Sequence, residues 1–283
     1  MNAAFIREVG TCRWIFRTSI RQFYKRIARR DHVMRLPSGE FITLPIANHF
    51  ASEVFVTGAD VDWGSERLFY ALLARKGAFL DIGAHIGYYS LYMLPRTQLT
   101  FCFEPDPRVR GFLEKNVAAK RNAQIMCCAV SEKPGTARFT LERDAAISHL
   151  SVGNEEGENI IDVEVVTIDS FVRERELKVE AIKIDVEGFD TAVISGALNV
   201  LKEQQPLVLT EAKADGVLFK ILRGVAYRIF AYIRDPQTRE KRFMELTSAE
   251  EAASAGHTKM LFLVPERLVE EIRRKGGLAK ALD

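Results

Sequence analysis

The stretch FLDIGAHIGYYS, from Phe79 to Ser90, decides the fold. Two apolar residues lead into Asp81, and two glycines, Gly83 and Gly87, follow before a run of tyrosines. An apolar strand that ends in a glycine turn and continues into a helix is typical of an open parallel sheet. Gly83 permits a tight turn, and Gly87 permits the next helix to approach a ligand closely. The stretch therefore predicts a ligand site at the carboxyl end of this strand.

The same alternation continues along the chain. Apolar strands are predicted at AFLDIG, LTFCFEP, AQIMCCAV, AIKIDVEG and PLVLTEA, with amphipathic helices between them. Near-continuous apolar strands of this kind predict a parallel sheet that is covered on both faces. Near the C-terminus, YRIFAYI and KMLFLVP are separated by loop-like residues, which favours an antiparallel pair at one edge. The predicted fold class is α/β, with a mostly parallel, Rossmann-like sheet of seven strands and an antiparallel strand near the C-terminus.

Composition narrows the classes of function. The chain has 283 residues, 47% of them hydrophobic, and a formal net charge of +2. A net charge this close to zero predicts that the protein does not bind nucleic acid. No apolar run approaches the length of a membrane span, and the N-terminus lacks a secretory apolar region. The four cysteines fit no zinc or disulfide pattern, so we expect reduced core residues in a cytoplasmic protein.

The first 50 residues differ from the rest. Between Arg7 and Arg30, eight cationic side chains alternate with aromatic and aliphatic ones, and Arg13, Arg17 and Arg21 follow helical spacing. One interpretation is a basic amphipathic helix on an anionic membrane or partner. The other is a solvated helix whose apolar side packs on the domain. We expect an N-terminal extension of helix and strand over residues 1–50, and one domain over residues 51–283.

The glycine turn also indicates what kind of ligand binds. The spacing is D-x-G-x-x-x-G and not the G-x-G-x-x-G of dinucleotide sites, and Asp81 would repel a phosphate. A carboxylate suits a cationic or hydroxyl-bearing ligand, and S-adenosyl-L-methionine carries an ammonium, a sulfonium and a ribose diol. Glu104 ends the second strand, near the spacing at which an acid binds a ribose. Together the two acids favour this cofactor.

A third group of residues follows the fourth strand, in IKIDVEGFD. Asp185 ends the strand and Glu187 lies two residues further, so both carboxylates are expected in the same cleft. One would orient a substrate and the other would accept a proton. Paired acids also bind magnesium, and Glu211 would supply a third oxygen. No metal is predicted, because nothing else in the sequence requires one.

These motifs together resemble one family. FLDIGAHIGYYS, FEPDP, AVSEKPG, VTIDSFV and IKIDVEGFDTAVISGA, in this order, are similar to the FkbM-type S-adenosyl-L-methionine-dependent methyltransferases, from about Ser52 to Pro265. The KIDVEG element is the most specific of them. The resemblance implies a class I methyltransferase fold. It also implies O-methylation of a hydroxyl on a sugar, glycolipid or natural product.

The resemblance further implies roles for single residues. The cofactor would be held by Asp81, Gly83, His85, Gly87, Glu104 and Asp185. His85 stands where the family often carries Asn, and its protonation would add charge beside the sulfonium. Asp185 and Glu187 would border the site of methyl transfer.

Three residues are candidates for the base that removes the proton. These are Glu187, Asp185 and His149, the last in the loop-like segment AAISHLS before the predicted loop GNEEGEN. Two other functions stay open: an NAD-dependent oxidoreductase on a similar sheet, and a protein that binds the cofactor without turnover. The identity of the acceptor and the oligomeric state are not predicted, and peripheral membrane contact through residues 7–30 remains one interpretation.

Overall fold

The computed structural model describes residue 6 and residues 9–142, 148–151, 159–238 and 240–278. Its helices are α1 Thr11–Phe23, α2 His49–Thr57, α3 Ser65–Leu72, α4 Tyr88–Met93, α5 Pro107–Val117, α6 Ile168–Glu174, α7 Asp190–Ser195, α8 Leu198–Gln204, α9 Gly216–Arg223, α10 Ala249–Ala255 and α11 Val269–Leu278. A π-helical turn, Tyr24–Ala28, continues α1, and 3₁₀ turns lie at Leu94–Arg96 and Glu266–Leu268.

The strands form three sheets. They are β1 His32–Arg35, β2 Phe41–Leu44, β3 Ala78–Ile82, β4 Leu99–Phe103, β5 Ala123–Met126, β6 Ala129–Val130, β7 Gly135–Thr140, β8 His149–Leu150, β9 Ile160–Val166, β10 Val179–Ile184, β11 Leu207–Thr210, β12 Tyr227–Arg234, β13 Lys241–Leu246 and β14 Leu261–Pro265. β1 and β2 make an antiparallel hairpin whose turn lies in residues 36–40.

The large sheet has the order β13-β12-β14-β11-β10-β3-β4-β5. The five strands from β11 to β5 pair in parallel, and β14, β12 and β13 add antiparallel neighbours at one end. This confirms the predicted α/β class and the antiparallel pairing of YRIFAYI with KMLFLVP. The strand count of seven is wrong by one. The segment taken as loop-like contains β13 and α10, because KRFMEL is too short and too polar to stand out as a strand.

Successive strand residues alternate between two cores. Phe79 of β3 packs with α3, α4, α5 and α11, whereas Leu80 and Ile82 pack with α6, α7, α8 and α9 on the other face. Both faces of the parallel strands are therefore buried, as their continuous apolar sequence predicts. The segment DTAVISGALNVLKEQ forms two helices, α7 and α8. It breaks at Gly196, where a β-carbon would overlap the carbonyl oxygen of Ser131.

A second, four-stranded sheet follows β5, in the order β6-β9-β7-β8. Phe139, Leu150 and Val163 are among the residues of its small core. His149, expected in a loop, lies in β8 and pairs with Thr140 of β7. A two-residue strand gives too short a pattern to be recognised in sequence. Most of the predicted loop GNEEGEN, residues 153–158, lies outside the described residues, as does Arg7.

Helix α1 packs on the domain through its arginines. Arg21 is 2% exposed and donates to the carbonyl oxygens of Leu44 and Pro45. Four apolar side chains face away from the domain instead: Ile15, Phe16, Phe23 and Ile27. The interpretation that the apolar side packs on the domain therefore holds only in part: Tyr24 stacks on His32 with ring centroids 4.1 Å apart, but these four side chains are exposed. The carbonyl groups at the end of β2 require donors, and Arg21 supplies them.

Two of the four cysteines differ from expectation. Cys102 and Cys128 are buried, but Cys12 and Cys127 are exposed; all four are free thiols. Within the described ranges, no helix is both long enough and apolar enough to span a membrane.

Candidate functional site

The turn after β3 lies where the order of the parallel strands reverses. β3 leads outward to β4 and β5, while β10 and β11 lie on its other side. Gly83 and Gly87 have φ angles of +78° and +85°, which favour glycine. The backbone N–H groups of Gly83 and Ala84 donate to the Phe103 carbonyl, which fixes the turn against β4. Open sheets bind ligands at such a reversal point.

A buried lysine on the neighbouring strand β10 binds the backbone of this turn. Lys183, the register partner of Asp81, is 3% exposed and donates to the Gly83 carbonyl oxygen at 2.9 Å. Its Nζ lies 3.7 Å from Asp81 Oδ1 and 3.2 Å from Asp185 Oδ2. The two carboxylates raise the pKa of Lys183 above its usual value, against the effect of burial. One cation thus joins the ends of β3 and β10.

Asp81 is enclosed and does not line the cavity at this end of the sheet. It is fully buried, and Ser90 Oγ donates to its Oδ2 at 2.5 Å. Burial raises the pKa of Asp81, while Lys183 and Ser90 lower it. Its position makes it a support of the glycine turn.

Glu104 is held in place by the same turn. Its Oε2 accepts from the His85 backbone N–H at 2.8 Å, and its Oε1 accepts from that of Asp106 at 2.9 Å. His85 adopts a φ of +51°, which directs this N–H toward the carboxylate. Burial raises the pKa of Glu104 to about 7, although the two N–H groups oppose it. Each oxygen keeps a lone pair for a further donor.

Three more carboxyl groups lie at the ends of β10 and β11. A side-chain hydrogen bond joins Asp185 and Glu211, and burial together with Asp185 raises the pKa of Glu211 to about 9. Glu211 therefore holds the proton at neutral pH and donates it to Asp185. Lys183 is the main cause that lowers the pKa of Asp185, against burial. Glu187 is exposed at the rim, and its pKa is raised by partial burial and then by Asp185 and Asp190.

All these ionisable groups except Asp81 line one cavity of about 330 Å³. The glycine turn and the ends of β4, β10 and β11 form its floor, and Phe139, His149 and Leu150 of the small sheet form a wall. Phe50 and Glu53 of α2 line another side. Asn48, which caps α2, donates to Nε2 of His85 at 3.2 Å, since its Oδ1 already accepts from Ala51 N–H. The segment before α3 thus contacts the glycine turn directly.

The structure brings most of the predicted site residues together. The cavity is lined by Gly83, His85, Glu104, His149, Asp185 and Glu187. Asp81 and Gly87 do not line it. Both support the glycine turn: Asp81 binds Ser90, and Gly87 is the N-cap of α4, where a β-carbon would press on Leu113.

Sequence reasoning missed two residues of the site. The sequence does contain a signal for Lys183: a lysine inside the apolar run AIKI must find a partner where the strand is buried. No sequence pattern indicated Asp62, since it lies in an irregular segment between α2 and α3. It lines the cavity, accepts from Tyr89 OH at 2.6 Å, and has a pKa raised by burial to about 6. Among the described residues, no group of three or more His, Cys, Asp or Glu side chains is placed to hold a metal ion.

Comparison with solved structures gives distant likenesses. A methyltransferase FkbM from Methylobacillus flagellatus KT shares 15% identity over 75% of this chain and 52% of that chain, with a TM-score of 0.44. The chain thus spans about half the length of that protein. A precorrin-6y C5,15-methyltransferase from Geobacter metallireducens GS-15 shares 13% identity over 70% and 82% of the two chains, with a TM-score of 0.37.

A third likeness is to the M. jannaschii tRNA m1G37 methyltransferase. It shares 11% identity over 83% of this chain and 57% of that chain, with a TM-score of 0.44. No curated protein sequence matches the chain.

A family model supplies the stronger finding. The model described as the methyltransferase FkbM domain matches residues 81–229, which is 149 of 283 residues and more than half of the chain. The match includes four of the five motifs on which the resemblance was based, and the first motif from Asp81 onward. It confirms the predicted family and speaks against the oxidoreductase alternative. The chain therefore belongs to the methyltransferase FkbM domain family.

Proposed function

We propose that the protein transfers a methyl group from S-adenosyl-L-methionine to a hydroxyl of an uncharged acceptor, such as a sugar, glycolipid or natural product. One observation carries this proposal. Glu104, Asp185 and Glu187 line a single cavity beside the glycine turn, so groups suited to the cofactor and to an acceptor lie within reach of each other.

The residues present fit the cofactor. Glu104 offers free lone pairs to a ribose diol, and Asp185 is an anion suited to the cofactor's ammonium group. The cavity also has apolar lining from Pro105, Val130 and Phe139, against which a purine ring can pack. When bound, S-adenosyl-L-methionine supplies a methyl group on a positively charged sulfur, and the surrounding carboxylates favour that charge.

The charge of the cavity favours a neutral acceptor. Six acidic residues line it, against two lysines. Both lysines lie close to carboxylates: Lys183 to Asp185 at 3.2 Å, and Lys259 to Glu53 at 3.3 Å. A phosphate of a nucleic acid would meet repulsion here, whereas a hydroxyl would find hydrogen-bond acceptors. This balance supports the earlier exclusion of a nucleic-acid partner.

Glu187 is the proposed proton acceptor. Asp185 is a poor base, because Lys183 and the proton of Glu211 stabilise its charged form. Glu187 carries no comparable restraint, and its pKa is raised toward neutral pH. His149 lines the same cavity, and a neutral imidazole nitrogen can accept a proton, so it is the second candidate. Either group would take the proton as the acceptor oxygen is methylated.

The first test concerns the base. Glu187→Gln keeps the shape of the side chain and removes the base, so turnover is expected to fall by about 10²–10⁴-fold. S-adenosylhomocysteine should still bind, as calorimetry would verify. Glu174→Gln, at the end of α6 and outside the cavity, is the matched control. Near-normal turnover in Glu187→Gln would contradict the assignment, and a selective loss in His149→Ala would move the base to β8.

The second test concerns the ribose contact. Glu104→Gln should weaken S-adenosylhomocysteine binding by about 10–150-fold, the effect of a lost charge-assisted hydrogen bond. Because the pKa of Glu104 is about 7, the difference from wild type should be larger at pH 8 than at pH 6. Calorimetry at both pH values measures it, with Glu114→Gln on the exposed side of α5 as control. Equal affinity at pH 8 would refute the ribose role.

The acceptor itself requires a separate assay. The protein is incubated with methyl-labelled S-adenosyl-L-methionine and with neutral glycan, lipid or RNA fractions, and labelled products are identified by mass spectrometry. Label in glycan or lipid that disappears with Glu187→Gln is the expected result. Label in RNA would overturn the acceptor class, while leaving methyl transfer in place.

A further inference from the structure

The outward face of α1 is apolar, and four of its side chains are largely open to solvent. Their exposed fractions are 52% for Ile15, 66% for Phe16, 50% for Phe23 and 71% for Ile27. The spacing places them along one side of the helix and its π-helical continuation. Scattered exposed apolar residues are ordinary on protein surfaces, but an aligned group of large ones marks an interaction surface.

The helix cannot turn this face inward. On its inner side Arg17 donates to the Val56 carbonyl at 3.1 Å, and Arg21 donates to the Leu44 carbonyl at 3.1 Å and to Ser52 Oγ at 3.2 Å. Rotation of the helix would leave the buried Arg21 guanidinium without acceptors, which is strongly unfavourable. The arginine contacts therefore hold the apolar face toward solvent.

The charge around the face indicates what covers it. Residues 9–30 include seven Lys or Arg and no Asp or Glu. Arg13, Arg26, Arg29 and Arg30 are exposed beside the apolar side chains. A second copy of the same face would bring cations against cations. An acidic nucleic acid would satisfy the cations but would leave isoleucine and phenylalanine without apolar contact.

We propose that α1 is an interfacial anchor that binds the surface of an anionic lipid bilayer. Phenylalanine and isoleucine side chains enter the boundary between headgroups and acyl chains, and the flanking arginines pair with lipid phosphates. The helix lies in the plane of the surface and does not cross it. This proposal does not depend on the reaction that the cavity performs.

Vesicle sedimentation of the full chain tests the proposal. Wild type should sediment with vesicles that contain about 30% phosphatidylglycerol in phosphatidylcholine, and less with phosphatidylcholine alone or at high salt. The variant Phe16→Ser/Ile27→Ser should bind about tenfold or more weakly. Phe41→Ser/Val217→Ser is the matched control, since it also removes one phenylalanine and one aliphatic residue with exposures of 60% and 57%. It should bind like wild type.

Two native thiols give a second measurement. Cys12 lies on α1, one turn before Phe16, whereas Cys127 lies after β5; both are exposed. Anionic vesicles should slow maleimide labelling of Cys12 relative to Cys127. Equal labelling of the two thiols with and without vesicles, or equal loss of sedimentation in both double variants, would overturn the proposal. A dimer in sedimentation velocity that Phe16→Ser/Ile27→Ser disperses would also overturn it.

Discussion

At the residue scale, Lys183 shows how a buried charge is made tolerable. Three acceptors surround its ammonium group: the Gly83 carbonyl and the carboxylates of Asp81 and Asp185. A fully buried cation without such partners would lose its proton. Here the two carboxylates keep it charged, and the lysine in turn lowers the pKa of Asp81 at a position where burial raises it.

Replacement of this lysine should be strongly destabilising. Lys183→Met keeps most of the volume but leaves Asp81 buried without a countercharge, so the free energy of unfolding is expected to fall by about 3–5 kcal/mol. Urea denaturation measures it. Lys133→Met removes an exposed lysine, with 84% of its side chain accessible, and should change little.

A double variant separates charge from packing. If the cause is the uncompensated carboxylate, Asp81→Asn/Lys183→Met should recover part of the lost stability. A double variant that is less stable than Lys183→Met alone would speak against the electrostatic cause.

At the scale of elements, the turn between β3 and α4 depends on the neighbouring strand. Gly83 has a positive φ, and a β-carbon there would overlap the carbonyl oxygen of Asp185. The turn that forms the floor of the cavity therefore lies against the backbone that leaves β10. The position of the turn after β3 therefore determines the position of the turn after β10.

Gly83→Ala should disturb both turns. The expected result is a loss of stability of about 1–3 kcal/mol from backbone strain and close contact, with weaker S-adenosylhomocysteine binding. Gly111→Ala is the control, because its β-carbon would meet nothing within 4 Å and it lies inside α5. That control should raise stability by about 0.5–1 kcal/mol. Thermal unfolding with and without the ligand distinguishes the two variants, and equal behaviour would contradict the role of Gly83.

At the scale of the whole molecule, buried acids determine how stability varies with pH. Burial raises the pKa of Asp62 to about 6, of Glu104 to about 7, of Glu66 to about 8 and of Glu211 to about 9. Each of these groups holds its proton more tightly in the folded state. Stability is then greatest below the unfolded pKa values and falls as the pH rises through the folded ones. Burial lowers the pKa of His32, which opposes this trend only below the usual pKa of histidine.

Glu66 offers a clean measurement of this effect. It is fully buried, and its Oε1 accepts from Tyr88 OH and from the Asp62 N–H, contacts that an amide oxygen can keep. Between about pH 5 and pH 8, stability of Glu66→Gln should improve relative to wild type by up to about 1.4 kcal/mol per pH unit. Denaturation across this range tests it, with the exposed Glu270→Gln as reference. A difference that does not change with pH would refute the titration of Glu66.

Sequence alone was sufficient for the central part of the molecule. The continuous apolar strands and the glycine turn predicted β3, β4, β10 and β11 and their common edge, because each pattern lies within a few neighbouring residues. Patterns that depend on distant partners were missed. The inward direction of Arg21 depends on carbonyl groups at the end of β2, and the place of Asp62 in the cavity depends on the path of an irregular segment.

The segment before the family match has a practical consequence for subcloning. The match begins at residue 81, and a clone cut there would seem to carry the whole catalytic unit. Yet Leu36, Ile42 and Leu44 belong to the same hydrophobic core as Phe79, and α2 supplies part of the cavity wall. An expression clone trimmed to the matched residues would open that core to solvent and yield insoluble material, so boundaries for this protein are better drawn from its packing than from its motifs.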